Sequence, residues 1–187
     1  MTSNQKIQPV RDRELIDRMR QLAAGVVVGT GDVSREWVLK KHWVVVPVES
    51  DDHFSGATVA RIAASCRDGK DQCFALITEE VYNIDSCFLV PCEEAALEEL
   101  NNALALFPFV LLPQERSWCI VCTKEDYYLV AGPSGFVETV VGMSIADAQA
   151  AYRRSADEWI MEKQKQFHRS VAARYEELTS ATASNRA

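Results

Sequence analysis

The chain has 187 residues, 48% of them apolar, and a formal net charge of −7, which suits one domain with a full hydrophobic core and leaves little for a second. No stretch approaches the ~20 consecutive apolar residues of a membrane span, and residues 1–9 show neither the basic region nor the apolar core of a secretory signal, so a cytoplasmic location is expected. The charge is uneven: residues 42–150 hold 17 Asp and Glu against 5 Lys and Arg, net −12, while both flanks are mildly basic. An acidic centre of this kind repels phosphate backbones and anionic lipid, which disfavours nucleic acid and membrane surfaces and leaves basic proteins as partners.

Asp12 suits the N-cap of a first helix whose apolar residues Leu15, Ile16, Met19, Leu22 and Ala23 recur at helical spacing, with Gly25 just past its end. A Gly29-Thr30-Gly31-Asp32 turn follows, and Ser34 to Lys41 reads equally as a helical turn or the start of a strand. His42 to Val48 is dense in β-branched and aromatic residues and predicts a buried strand, with Pro47 marking a sheet edge or strand end. Ser55 to Cys66 places Val59, Ile62, Ala63 and Cys66 on one helical face before a turn at residues 67–70. Cys73 to Thr78 and Ser86 to Val90 read as two strands joined through Glu79 and Glu80. A helix from Cys92 to about Leu106 sets Ala96, Leu97, Leu100, Ala103 and Leu104 opposite Glu94, Glu98 and Asn102.

Phe109 to Leu112, Trp118 to Cys122 and Tyr127 to Ala131 give the clearest strand signal, the last two forming an antiparallel hairpin over a Thr-Lys-Glu-Asp turn. Phe136 to Val141 is short, apolar and ambiguous. Ser144 and Asp147 resemble a capping box, and no Gly or Pro interrupts the chain after it. One continuous helix over about 144–178 is therefore expected, ~50 Å long, which is longer than a domain of this size is wide. Its second half, carrying Phe167, Val171 and Tyr175, needs a burial site of its own, and a homodimer through the C-terminal helix supplies one. The resulting expectation is a single α+β domain over 1–178, with a mainly antiparallel sheet of about five to six strands packed by helices, and a flexible polar tail over 179–187.

The chemistry-bearing residues give no recognised catalytic pattern. Cys119 and Cys122 form a C-x-x-C, but within a strand residues three apart face opposite sides, so their sulfurs diverge. The six cysteines are expected to be reduced, and five of them, Cys66, Cys73, Cys87, Cys119 and Cys122, to fill the core, without bound metal or other cofactor. His42, His53 and His168 share no metal-type spacing. His53 lies beside Glu49, Asp51 and Asp52, where a carboxylate would raise its pKa and orient it as a base, yet no nucleophile accompanies it and a solvated loop is the stronger reading. The two Gly-rich turns match no phosphate-binding pattern. Adjacent strand residues Tyr127 and Tyr128 point to opposite faces, which places at least one ring at the surface or on a partner, the alternative being a solvated turn over a core Tyr. Together with Glu125 and Asp126 they make the hairpin tip the favoured partner-binding site.

In size, acidity and lack of catalytic signature the chain resembles, in type only, the diverse bacterial immunity proteins that neutralise a secreted toxin by binding it. The resemblance carries no residues across. It implies a non-enzymatic binding protein offering acidic surface to a cationic toxin or effector. The alternatives are an enzyme whose site is assembled across distant segments, and an assembly subunit or secretion chaperone docking through the C-terminal helix.

Overall fold

A computed structural model describes residues 6–51, 53–66, 72–82 and 84–184. The turn expected at residues 67–70, Asp52 and the last three residues of the tail lie outside them. In chain order the elements are β1 (Gln8–Pro9), α1 (Arg13–Ala24), β2 (Val27–Val28), β3 (Asp32–Val33), α2 (Arg35–Lys41), β4 (Val44–Glu49), α3 (Ala57–Ser65) and β5 (Gln72–Ile77). Then follow β6 (Cys87–Pro91), α4 (Glu94–Ala103), β7 (Phe109–Pro113), β8 (Cys119–Cys122), β9 (Tyr127–Gly132), α5 (Ser134–Val141), α6 (Ile145–Glu158) and α7 (Glu162–Ser184).

Seven strands form one antiparallel sheet in the order β1-β6-β5-β7-β8-β9-β4, and β2 pairs with β3 in a separate ribbon. The fold is α+β and antiparallel, as the sequence predicts. Strand alternation divides the side chains between two apolar layers. Val46, Ala75, Leu111, Ile120 and Val130 face α3, α4 and α5. Val45, Phe74, Val110, Val121 and Leu129 face a layer that also holds Met19 of α1, Val38 of α2, and Val171 and Tyr175 of α7. Helices therefore cover both faces, which explains why the central strands read as nearly continuous apolar runs.

The edges are protected differently. β1 is two residues long. β4, carrying Pro47, is the other edge, and α6 wraps it: Ala148 joins the first apolar layer while Tyr152 joins the second. Short or covered edges suppress pairing with other chains.

Local capping chemistry decides the segments the sequence left open. Ser34 accepts a hydrogen bond from the Trp37 amide at 3.3 Å, and His42 closes the segment in the left-handed region at φ 52°, so residues 35–41 are helix rather than strand. Phe136 to Val141 is also helical, within α5. It ends at Gly142, φ 75°, where the Arg61 guanidinium donates to the Val141 carbonyl at 3.2 Å. A side chain at residue 142 would collide with that guanidinium as well as strain the backbone.

The continuous C-terminal helix is corrected. The chain breaks over Trp159, Ile160 and Met161, and α7 folds back against α6 and onto β4. No Gly or Pro marks the break; burial produces it. Interrupting a helix forfeits a few hydrogen bonds worth ~1 kcal/mol each, whereas burying Val171, Tyr175 and Leu178 on the chain's own sheet recovers about 1.5–3 kcal/mol apiece. The apolar stripe that suggested a dimer is thus covered within one chain. The start of the supposed tail is also ordered: α7 continues through Ser184, and Thr182 is buried, its hydroxyl donating to the Leu178 carbonyl at 3.0 Å.

Candidate functional site

The antiparallel registers bring the C-termini of β4, β5 and β8 to the same end of the sheet as the N-termini of β6, β7 and β9. Segments distant in sequence therefore place their acids side by side. Glu49 ends β4 opposite Tyr127, Glu79 and Glu80 follow β5, and Glu125 and Asp126 form the β8–β9 turn. Asp51 and Glu158 join them across a groove of about 500 Å³ at the α6–α7 corner, lined also by Trp159, Ile160 and Met161. Of the adjacent acidic pairs in the sequence, Glu79-Glu80 and Glu125-Asp126 converge here. Glu93-Glu94 and Glu98-Glu99 instead lie on or beside α4.

Few cations balance this end. Lys124 Nζ pairs with Glu79 at 2.6 Å, and Arg174 pairs with Asp32 at 2.6 Å. Among the described residues, Glu49, Asp51, Glu125 and Asp126 have no ion-pair partner. The backbone of the turn is tied down: Thr123 Oγ1 donates to the Tyr127 carbonyl at 2.5 Å and accepts from the Glu125 amide at 3.1 Å. Asp126 adopts φ 48°, and its carbonyl accepts from the Ser50 amide at 3.0 Å, tying the tip to the end of β4. Aspartate tolerates this left-handed conformation better than most residues.

The same end carries exposed apolar groups. Ile160 is 98% exposed, Leu106 83% and Tyr82 80%, and Val28, Ile84 and Met161 are also open. Leu106 precedes β7, while Tyr82 and Ile84 lie in the β5–β6 connection. A second groove of about 340 Å³, lined by Val28, Asp32, Glu79, Lys124 and Glu125, continues the surface. These side chains are spread along the end of the sheet, and Ile160 and Met161 share one groove with Glu49, Asp51 and Glu158.

The sequence-predicted tip residues separate into two kinds. Glu125 is exposed and Asp126 partly so, whereas Tyr127 and Tyr128 do point to opposite faces but are both buried. The expectation that one ring reaches the surface is corrected, because helices cover both faces of the sheet. Tyr128 is 3% exposed, packs edge-on to Phe54 and approaches Thr58 Oγ1 at 3.4 Å. Tyr127 lies against Tyr152, Phe167 and His168, and burial pushes its hydroxyl up to about 12. Both rings therefore pack beneath the turn rather than present themselves at its surface. Ile160 and Met161 went unrecognised in the sequence because they were assigned to the interior of a helix.

His53 is not a solvated loop residue. It is buried with φ 57°, its Nε2 lies 3.3 Å from the Leu104 carbonyl, and its ring packs edge-on to Phe109. Cys119 and Cys122 face opposite layers, as strand alternation requires, and burial raises both thiols far above the ordinary range. Neither is poised for nucleophilic or redox work.

His168 lies beneath the corner, stacked on Trp159 with ring centroids 4.8 Å apart, and its Nδ1 is 2.7 Å from the Tyr152 hydroxyl. Burial lowers its pKa, against the opposing pull of Asp126, Glu49 and Glu125. Below about pH 6.5 the unfolded chain therefore binds a proton that the folded chain resists, so stability falls as pH drops through that value. Urea unfolding at pH 7.5 and 5.5 should show a loss on acidification that shrinks in His168→Gln. An equal loss in both proteins would assign it to other groups.

The chain matches no protein-family model, no curated protein and no solved structure. No helix among the described residues is long and apolar enough to cross a membrane.

Proposed function

We propose that the protein acts in the cytoplasm by binding a basic protein at the acidic end of its sheet, as an immunity-type inhibitor that neutralises a cationic toxin or effector by direct contact. The observation that carries this reading is the meeting of Glu49, Asp51 and Glu158 with exposed Ile160 and Met161 around one groove, beside the Glu125-Asp126 turn that is tied to the end of β4. Apolar anchors surrounded by charge are how specific interfaces divide their labour: the anchors slow dissociation, and the charged rim steers approach. Folded side chains of the chain's own core leave this end open, whereas they cover the apolar face of α7.

Site-specific photocross-linking in the native host tests the reading. A photoreactive residue at position 160 should capture a discrete protein with a basic surface, while one at Lys40, exposed at the opposite end of β4, should not. Equal capture at both positions, or none at 160, would argue against this end as the interface.

A further inference from the structure

Three cysteines that the function above does not use meet at one point. Cys66 closes α3, Cys73 is the second residue of β5, and Cys92 follows β6. Their sulfurs all lie within 4.8 Å of one another, with Cys73 and Cys92 at 3.1 Å. We propose that Cys66, Cys73 and Cys92 form a three-sulfur site for one soft monovalent cation, Cu(I).

The dimensions suit such an ion. A thiolate–metal bond of about 2.3 Å places the sulfurs of a trigonal-planar site roughly 4.0 Å apart; Cys73 and Cys92 stand at 3.1 Å and no pair exceeds 4.8 Å, so adjustments of about 1 Å or less complete the set. The 3.1 Å separation is well beyond the roughly 2.05 Å of a disulfide, and a single disulfide would leave one of the three sulfurs unused. The donor set selects the metal. All three donors are soft sulfurs, which favour Cu(I) or zinc over hard cations. No fourth His, Cys, Asp or Glu among the described residues joins the group. A structural zinc site closes with four ligands, whereas Cu(I) is satisfied by three sulfurs. All three residues are buried in the first apolar layer, which disfavours water as a fourth ligand. Binding releases thiol protons, because the thiolate is the ligand.

Full-length reduced protein, titrated anaerobically with Cu(I) against a chromophoric Cu(I) chelator, provides the test. One copper per chain should be retained, with ultraviolet sulfur-to-copper absorption and an X-ray absorption shell of three sulfurs. Cys73→Ser should weaken retention by more than the roughly 10–100-fold that loss of an outer-shell partner costs, while Cys119→Ala should retain the ion. If Cys73→Ser does not fold, the sulfur count on wild type and the Cys66→Ser variant decide. The proposal is overturned if copper is not retained, if retention survives Cys73→Ser, if fewer than three sulfurs are found, or if zinc supplied in equal amount displaces the copper.

Discussion

Replacing Val171 with aspartate is expected to destabilise the folded chain by about 4 kcal/mol or more, a loss of the size that burial of an unpaired charge produces. Val171 is 2% exposed on the face of α7 that packs against the sheet. An aspartate there must either enter the core charged, bind a proton, or pull α7 off the sheet, and each route is costly. Domains of this size have only about 5–15 kcal/mol in hand. Phe167→Asp should cost far less, because that ring is already 38% exposed. Urea unfolding measures the difference, and sedimentation at several protein concentrations tests the explanation. A folded, monomeric Val171→Asp protein derived from a dimeric wild type would mean that α7 docks on another copy instead.

What the sequence disclosed follows from how local each signal is. Asp12 accepts from the Glu14 amide at 2.9 Å and from the Leu15 amide at 3.3 Å, so the first helix begins where its cap predicts. The β8–β9 hairpin follows from its turn between two strand runs, the edge position of Pro47 from proline's missing N–H, and the divergence of Cys119 from Cys122 from strand alternation, all of which are local in the chain. The break at Trp159 has no local signature, because its cause is the burial of Val171, Tyr175 and Leu178 on β4, more than a hundred residues away. Tyr127 and Tyr128 were misplaced for a related reason: alternation separates their faces, but only the topology reveals that helices cover both. The acidic end was half legible. Charge counting found the excess, and the antiparallel registers determine which acids become neighbours. The cysteine cluster was invisible because Cys66, Cys73 and Cys92 come from three elements with no motif spacing.

The second large effect concerns recognition. Changing Glu49, Glu125 and Asp126 together to lysine turns the unpaired part of the acidic end basic while leaving the core untouched, since Glu49 and Glu125 are exposed and Asp126 is partly so. Stability should change little at Glu49 and Glu125, as expected for surface positions, and fall by about 1 kcal/mol at position 126, where lysine tolerates the left-handed backbone less well than aspartate. Association with a basic partner should slow by roughly 10- to 1,000-fold at low salt, the range over which electrostatic steering acts. Tyr128→Ala is an unsuitable probe of the same surface, because a buried ring removed from beneath the turn lowers stability by about 3–5 kcal/mol before binding is affected.

The association rate of the partner cross-linked at position 160, measured by stopped flow at about 20 and 500 mM salt, decides whether the acidic end steers binding, since steering by exposed charge weakens as the screening length contracts. The wild-type rate should fall steeply with salt, and the rate of the triple lysine variant should be slow at low salt and not fall as salt is added. A wild-type rate indifferent to salt, together with binding unchanged by the three reversals, would contradict steering by the acidic end.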